Sequence, residues 1–227
     1  MSKVLPPNIT VDIDNPELLA FCNSLSTTNT PQSIKVIDNP RPIGYCYWNA
    51  WAHQKENGGK VVHGWVFNEW PGYFIIAMHH AVWQSEDGEL YDVSEKYDTD
   101  KIKERTTFLM DDSIEINLHK LPKVCSHFHT YSNITPVLRR IVDFIIHSYQ
   151  TMNFFEQRGS EMAYHSGYRC ENQFNTAERK TFTPKEPYAP NELFALEWKY
   201  YADMENIYRH AFTASLQHLD DVTKFIK

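Results

Sequence analysis

The chain has 227 residues, 42% of them hydrophobic and 14% aromatic, which is enough to build a sizeable core and excludes an intrinsically disordered protein. Its formal charge of −7 disfavours binding to nucleic acid or anionic membranes, because both attract basic surfaces. The sequence begins without the apolar run of a secretory signal, and no apolar run reaches the roughly 20 residues of a membrane helix. Four widely spaced cysteines without a C-x-x-C pair then indicate free thiols, so we expect a soluble cytoplasmic protein.

Residues 1–33 are predicted to form one helix and a loop. Asp14 or Asn15 is a suitable N-cap, and Pro16 suits the first helical turn. The Ser- and Thr-rich sequence that follows is typical of a loop.

Residues 34–122 combine helical and strand patterns and are predicted to form an α+β catalytic core. A helix follows Cys46 and ends at the glycine pair Gly58-Gly59. The strands predicted after it are 60–69, 73–83 and 89–94, with weaker patterns at 34–37, 107–110 and 114–118. The second of these strands is apolar on both faces, which is typical of a covered interior strand.

Residues 123–227 are predicted to form a helical extension that packs on the core. Its first helix has start signals at Thr135-Pro136 and is expected to end before Gly159. Residues 159–190 are expected to be irregular. A last helix begins near Asn191 and extends toward the C terminus, with a break near residue 219 as the alternative to one continuous helix.

Cys46, His80 and Asp92 supply the three chemical groups of a thiol active site on neighbouring predicted elements. A thiol needs a base to become a good nucleophile, and a histidine base needs an orienting partner. A helix start favours a thiolate through its dipole and its backbone N–H groups, which also bind an oxyanion. The alternative for Cys46 alone is a small buried hydrophobic residue, the usual state of a free cysteine.

The hairpin between the second and third strands determines which histidine meets Asp92. Pairing of Ser85 with Glu89 places His80 diagonal to Asp92 on the same face of the sheet. A register shift of one residue places Asp92 beside His79 instead. Both registers pair the carboxylate with a histidine, and a buried charge needs such a partner.

This order of elements resembles the papain-like cysteine hydrolase superfamily, and most of all its transglutaminase-like and NlpC/P60-like branches. The resemblance covers about residues 39–97 and rests on the cysteine at a helix start, the histidine strand and the acidic strand. It implies a papain-like core in which Cys46 is the nucleophile, His80 the base and Asp92 the orienting group. It further implies acyl transfer from an amide, a peptide or a glutamine side chain through a thioester. Hydrolysis, deamidation and transamidation all fit this chemistry, with a peptide or protein substrate and no cofactor.

The groups that would bind the substrate or the oxyanion are less defined. Papain-like proteases carry a glutamine shortly before the cysteine, and this chain has none, so Asn39, Arg41 or backbone amides are the candidates. Further candidates are the aromatic and imidazole neighbours of the site, for which ordinary core packing is the alternative. These neighbours are Tyr45, Tyr47, Trp48, Trp65, His79 and Trp83.

Two other classes of function stay open. Cys125, His127 and His129 alternate along one face of a strand pattern and are all metal-competent, so a metal-dependent hydrolase or a metal-binding protein is one alternative. The additional ligands would be His119 or Cys170, or, at a second centre, His63, His79 and His80 with Cys46. The other alternative is a non-catalytic protein-binding module on the same scaffold.

Overall fold

The computed structural model describes residues 9–25, 29–96, 100–118, 126–171, 181–184 and 192–226. The chain divides into two compact units. A sheet unit comprises residues 7–115 and 125–135, and a helical unit comprises residues 1–6, 116–124 and 136–227. This division differs from the predicted boundary at residue 122, because the strand at 126–130 pairs within the sheet unit.

The described part of the sheet unit is a mixed α+β structure, as the sequence predicts. Its helices are α1 (Pro16–Leu25) and α2 (Cys46–Asn57). Its strands are β1 (Ile9–Thr10), β2 (Gln32–Arg41), β3 (Lys60–Trp70), β4 (Phe74–Gln84), β5 (Leu90–Ser94), β6 (Arg105–Met110) and β7 (Ser126–Thr130). The strand order is β1-β3-β6-β2-β5-β4-β7, and β3 also pairs with β4. The five strands β3, β6, β2, β5 and β4 therefore form a closed ring. The papain-like character of this core stays a prediction.

Helix α1 begins as its sequence predicts. The Asn15 side-chain oxygen accepts a hydrogen bond from the backbone N–H of Glu17 at 3.0 Å, so Asn15 caps the helix. The buried face of α1 packs on one face of the sheet, where each fully buried large apolar side chain contributes roughly 1.5–3 kcal/mol. This core consists of Val11, Leu18, Phe21, Cys22, Trp65, Phe67, Ile75, Ala77 and Leu109. The weak pattern at 114–118 is not a strand, and Ile114 packs against this core instead.

The β4–β5 hairpin has the predicted register. Trp83 lies opposite Tyr91, and the backbone N–H of Ser85 donates to the carbonyl of Glu89 at 2.9 Å. Alternation along β4 therefore directs the side chains of successive residues to opposite faces of the sheet. The covered, interior character predicted for β4 is confirmed, since most of its residues are buried.

Gly64 on β3 lies directly opposite His80 on β4. A Cβ atom at this position would lie 2.6 Å from the ring of Phe108 and would also collide with the backbone carbonyl of Leu109. The glycine therefore lets β6 lie close alongside β3 at the residue that pairs with His80.

The described part of the helical unit contains α3 (Pro136–His165), the hairpin β8 (Tyr168–Glu171) and β9 (Thr181–Pro184), and α4 (Glu192–Ile226). The predicted end of α3 before Gly159 is wrong. Gly159 lies inside α3 beside α4, where a Cβ would make only an ordinary contact, 3.4 Å from the Cβ of Tyr201, so this glycine does not terminate the helix. The predicted irregularity of 159–190 is also wrong where α3 and the hairpin extend into it, and α4 continues without a break near residue 219. No helix among the described residues has the length and apolar character to cross a membrane.

Candidate active site

Cys46 is the first residue of α2. The preceding Tyr45 occupies the N-cap position without a side-chain capping hydrogen bond, and its carbonyl accepts the N–H of Asn49 at 2.8 Å to close the first turn. Gly44 precedes it with φ +87°, a left-handed conformation that favours glycine. Cys46 is a free cysteine, and the residue is partly exposed. It therefore lies near the surface, at the first-turn amides of α2.

Asn49 is a residue of the site that the sequence analysis does not identify. Its buried amide donates to the carbonyl of Pro42 at 2.8 Å and to the hydroxyl of Ser94 at 3.0 Å. These bonds fasten the start of α2 both to the loop before Cys46 and to the end of β5. The signal in the sequence is weak: one amide in the first turn of an aromatic-rich helix.

His80 and Asp92 meet as the hairpin register predicts. His80 Nε2 lies 3.0 Å from Asp92 Oδ1, and the two side chains are only 14% and 3% exposed. The Cys46 sulfur lies near enough to the His80 ring to raise the pKa of that imidazole. Because Nε2 faces the carboxylate, Nδ1 is the ring nitrogen that remains for the sulfur.

The electrostatics of the site favour an ion pair. Burial by itself lowers the pKa of His80, but the Asp92 carboxylate and the Cys46 sulfur outweigh it and raise that pKa to about 10. Burial likewise raises the pKa of Asp92, but the His80 charge outweighs it and the net pKa of Asp92 is lowered. His80 is therefore an imidazolium at neutral pH and Asp92 a carboxylate.

Asp92 has two further donors besides His80. The N–H of Ser94 donates to Oδ1 at 3.0 Å, and the hydroxyl of Thr106 donates to Oδ2 at 2.8 Å. Both oxygens of the carboxylate are thus engaged, which fixes its orientation toward the imidazole. Thr106 lies on β6, and the sequence analysis does not connect it with the site.

The two residues proposed for the oxyanion are differently placed. Asn39 is exposed on β2. The guanidinium of Arg41 binds the Glu56 carboxylate at 2.5 Å, and Glu56 follows Cys46 by ten residues, or about 15 Å along α2. The Arg41 side chain is therefore held away from the sulfur, which leaves the first-turn amides of α2 as the nearest oxyanion donors.

The tryptophans proposed as substrate contacts are core residues. Trp48 and Trp65 are both buried, and the indole N–H of Trp65 donates to Asp111 Oδ2 at 2.7 Å. Tyr45 is only partly buried, and its ring lies 6.4 Å from that of Trp48. Of these three aromatic residues, Tyr45 alone offers surface beside Cys46.

His79 belongs to the opposite face of β4 and does not contact Asp92. Its Nδ1 lies 2.8 Å from the hydroxyl of Tyr47, and its ring packs against Trp65 at 5.2 Å. Burial, followed by the charge of His63, lowers the pKa of His79 to about 4. His79 is therefore a neutral core residue at physiological pH rather than a substrate contact.

The proposed metal ligands do not converge where the structure describes them. His129 Nε2 binds Glu17 at 2.6 Å, and the ring of His127 packs against Trp65 at 4.9 Å. Cys125, His119 and the side chain of Cys170 lie outside the described residues. In the second proposed centre, His79 and His80 face opposite sides of β4. Among the residues that the structure describes, no group of three or more His, Cys, Asp or Glu side chains is arranged to hold a metal ion.

Comparisons with protein-family models, curated proteins and solved structures find no match to this chain. The papain-like resemblance stays a prediction, and the function has to be argued from the chemistry of the site.

Proposed function

We propose that this chain is a cysteine-dependent acyl-transfer enzyme with Cys46 as nucleophile, His80 as acid–base group and Asp92 as the group that orients His80. The observation that carries the proposal is the buried His80–Asp92 hydrogen bond, together with the partly exposed Cys46, which acts on the same imidazole from the start of α2. An imidazolium beside a thiol at a helix start is the environment in which a thiolate forms and reacts at neutral pH.

The proposed reaction begins with the thiol proton on His80. The Cys46 sulfur attacks the carbonyl carbon, and first-turn amides of α2 stabilise the oxyanion. His80 donates its proton to the leaving amine, the C–N bond breaks and a thioester forms. Neutral His80 then accepts a proton from water as the water attacks the thioester, which releases the carboxylic acid and returns the proton to the imidazole–sulfur pair. An amine in place of water completes a transamidation.

The expected acyl donor is an amide, a peptide or a glutamine side chain, as in the papain-like superfamily that the chain resembles. Hydrolysis is the default outcome because water is the most abundant acceptor. The cytosol keeps free thiols reduced, so a thiol nucleophile fits the cytoplasmic location expected from the sequence.

The test is acylation of Cys46 by an activated ester. Purified protein mixed with p-nitrophenyl acetate should release a burst of p-nitrophenol close to one equivalent and carry an acetyl group on the peptide that contains Cys46. Cys46→Ser should abolish the burst and His80→Ala should slow it. Added hydroxylamine should shorten the lifetime of the adduct if amines are acceptors.

Cys22 provides an internal control because it is buried and burial raises its thiol pKa to about 11. The proposed enzymatic activity would be contradicted if Cys22 were acetylated as fast as Cys46, or if no adduct formed on Cys46. The latter outcome would favour a non-catalytic binding module on the same scaffold.

A further inference from the structure

A lysine ammonium is linked through the hydroxyl of Thr106 to Oδ2 of Asp92, whereas the imidazole binds Oδ1. Lys96 Nζ lies 3.0 Å from Thr106 Oγ1, 2.8 Å from Thr10 Oγ1 and 3.4 Å from Asp100 Oδ2. The Lys96 side chain is only 10% exposed. Lysine is rarely buried unless its charge is paired, and here the partner is the Asp100 carboxylate.

The hydrogen bonds in this cluster have a fixed direction. An ammonium group only donates, so Thr106 Oγ1 accepts from Lys96. The single hydroxyl hydrogen of Thr106 is then committed to Asp92 Oδ2, at 2.8 Å. On the other carboxylate oxygen, the Ser94 N–H and His80 Nε2 complete the set. Every hydrogen bond in the series therefore runs toward Asp92.

The charges in this cluster alternate. Asp100 balances Lys96 on its far side and is held by the N–H and hydroxyl of Thr10, at 3.1 and 2.8 Å, and by the N–H of Ile102 at 3.1 Å. The order of charged groups is imidazolium, carboxylate, ammonium, carboxylate. Protonation of Asp92 would break this order, and the positive charge of Lys96 opposes it.

We propose that Lys96 is a positioning residue of the site: through the hydroxyl of Thr106 it keeps the Asp92 carboxylate ionised and turned toward His80 Nε2. The inference rests on the proposed function in so far as it concerns reactivity. With Nε2–H committed to Asp92, Nδ1 is directed at the Cys46 sulfur throughout the reaction. Lys96 acts on Asp92 indirectly, because Thr106 lies between the ammonium group and the carboxylate.

The titratable groups that act on the His80–Asp92 pair come from three segments. These are Cys46 from α2, His79 from β4 itself, and Lys96 from the segment after β5. Changing Thr106 leaves all of them in place and removes only the hydroxyl between Lys96 and Asp92, so Thr106→Val tests this hydroxyl and Lys96→Met tests the charge behind it.

The test compares four variants by two measurements. Thr106→Val removes the hydroxyl at nearly constant shape, and Lys96→Met removes the charge but keeps an unbranched side chain. Thr106→Ser restores the hydroxyl, and Lys101→Met removes a charge from an exposed lysine as a control. The first measurement is the downfield proton NMR signal of His80 Nε2–H and its exchange rate with water. The second is the rate of alkylation of Cys46 by iodoacetamide at neutral pH.

We expect Thr106→Val and Lys96→Met to speed exchange of the Nε2 proton and to slow alkylation, each by about tenfold, as is typical when an outer partner of a functional side chain is lost. Thr106→Ser and Lys101→Met should behave as the wild type. If Lys96→Met does not fold because Asp100 is left unpaired, the double variant Lys96→Met/Asp100→Asn takes its place.

An unchanged exchange rate in Thr106→Val or in Lys96→Met overturns the inference, and so does an unchanged alkylation rate. The NMR signal does not depend on the nucleophilicity of the sulfur. Faster exchange in Lys96→Met in a protein whose wild-type Cys46 is as inert as Cys22 would therefore support the orientation of Asp92 by Lys96 and contradict the proposed enzyme.

Discussion

Replacing Asp92 with asparagine removes the negative charge next to His80 while keeping the size of the side chain. In the wild type, burial by itself lowers the pKa of His80, and the carboxylate is the largest factor that opposes it. The resulting pKa of about 10, compared with an ordinary 6.5, corresponds to roughly 5 kcal/mol in favour of the imidazolium. Without the carboxylate the burial effect dominates, so the pKa of His80 should fall below 6.5 and the imidazole should be neutral at neutral pH.

Two measurements follow this change. The ¹⁵N chemical shifts of His80 across a pH titration report its protonation and its tautomer. The alkylation rate of Cys46 should fall by about 10²-fold or more in Asp92→Asn, since loss of the orienting carboxylate of a triad has cost up to about 10⁴-fold. Asp111→Asn is the matched control, because its carboxylate binds the buried Trp65 of the same unit and does not contact His80. The reasoning is refuted if His80 titrates in Asp92→Asn as it does in the wild type.

Three further predictions concern stability and are measured by urea denaturation. His79 takes up a proton near pH 6.5 in the unfolded chain but only near pH 4 in the folded chain, so the free energy of unfolding should fall by up to about 3 kcal/mol as the pH is lowered from 6.5 to 4. His79→Gln should abolish this fall, and a pH profile that is unchanged in the variant would contradict the prediction. Gly64→Ala should lower the free energy of unfolding by about 1–3 kcal/mol or more, because the new Cβ has no space. Gly159→Ala, in the middle of α3, should leave it unchanged or raise it. Equal effects of the two substitutions would contradict the packing argument. The hydrogen bond from His129 lowers the pKa of Glu17, so the stability that this bond contributes is present above about pH 4.5 and is lost as the pH falls through the lowered pKa of the folded protein. Glu17→Gln should therefore reduce the free energy of unfolding by about 1 kcal/mol at pH 7 and by less at pH 3. A reduction that does not depend on pH would count against this prediction.

Local patterns predict the elements that carry the candidate site. Glu86-Asp87-Gly88 and the alternation around it determine a tight hairpin, and a hairpin fixes its own register. The contact of His80 with Asp92 follows from that register. The start of α2 at Cys46 is equally local, since the sequence around it carries the chain into a helix.

The surroundings of the site depend on contacts distant in sequence. Thr106 reaches Asp92 only because β6 takes its place in the closed ring of strands, and no periodicity within one strand encodes that closure. Aromatic composition likewise does not distinguish the wall of a groove from a core, so Trp48 and Trp65 were predicted as candidate contacts and are buried. Gly159 has the local character of a helix stop, but α3 continues through it because the helix packs along α4.

The central claim is that the Cys46 sulfur is activated by the His80 imidazole. Its most direct test is the iodoacetamide rate at Cys46 between about pH 6 and 7, where an ordinary thiol with a pKa near 8.5 is mostly protonated and slow. We expect Cys46 to react faster than a model thiol and much faster than Cys22, and His80→Ala to remove this advantage, while His210→Ala, at an exposed imidazole of α4, leaves it intact. A Cys46 that reacts no faster than a model thiol, or that reacts equally fast in His80→Ala, contradicts the account.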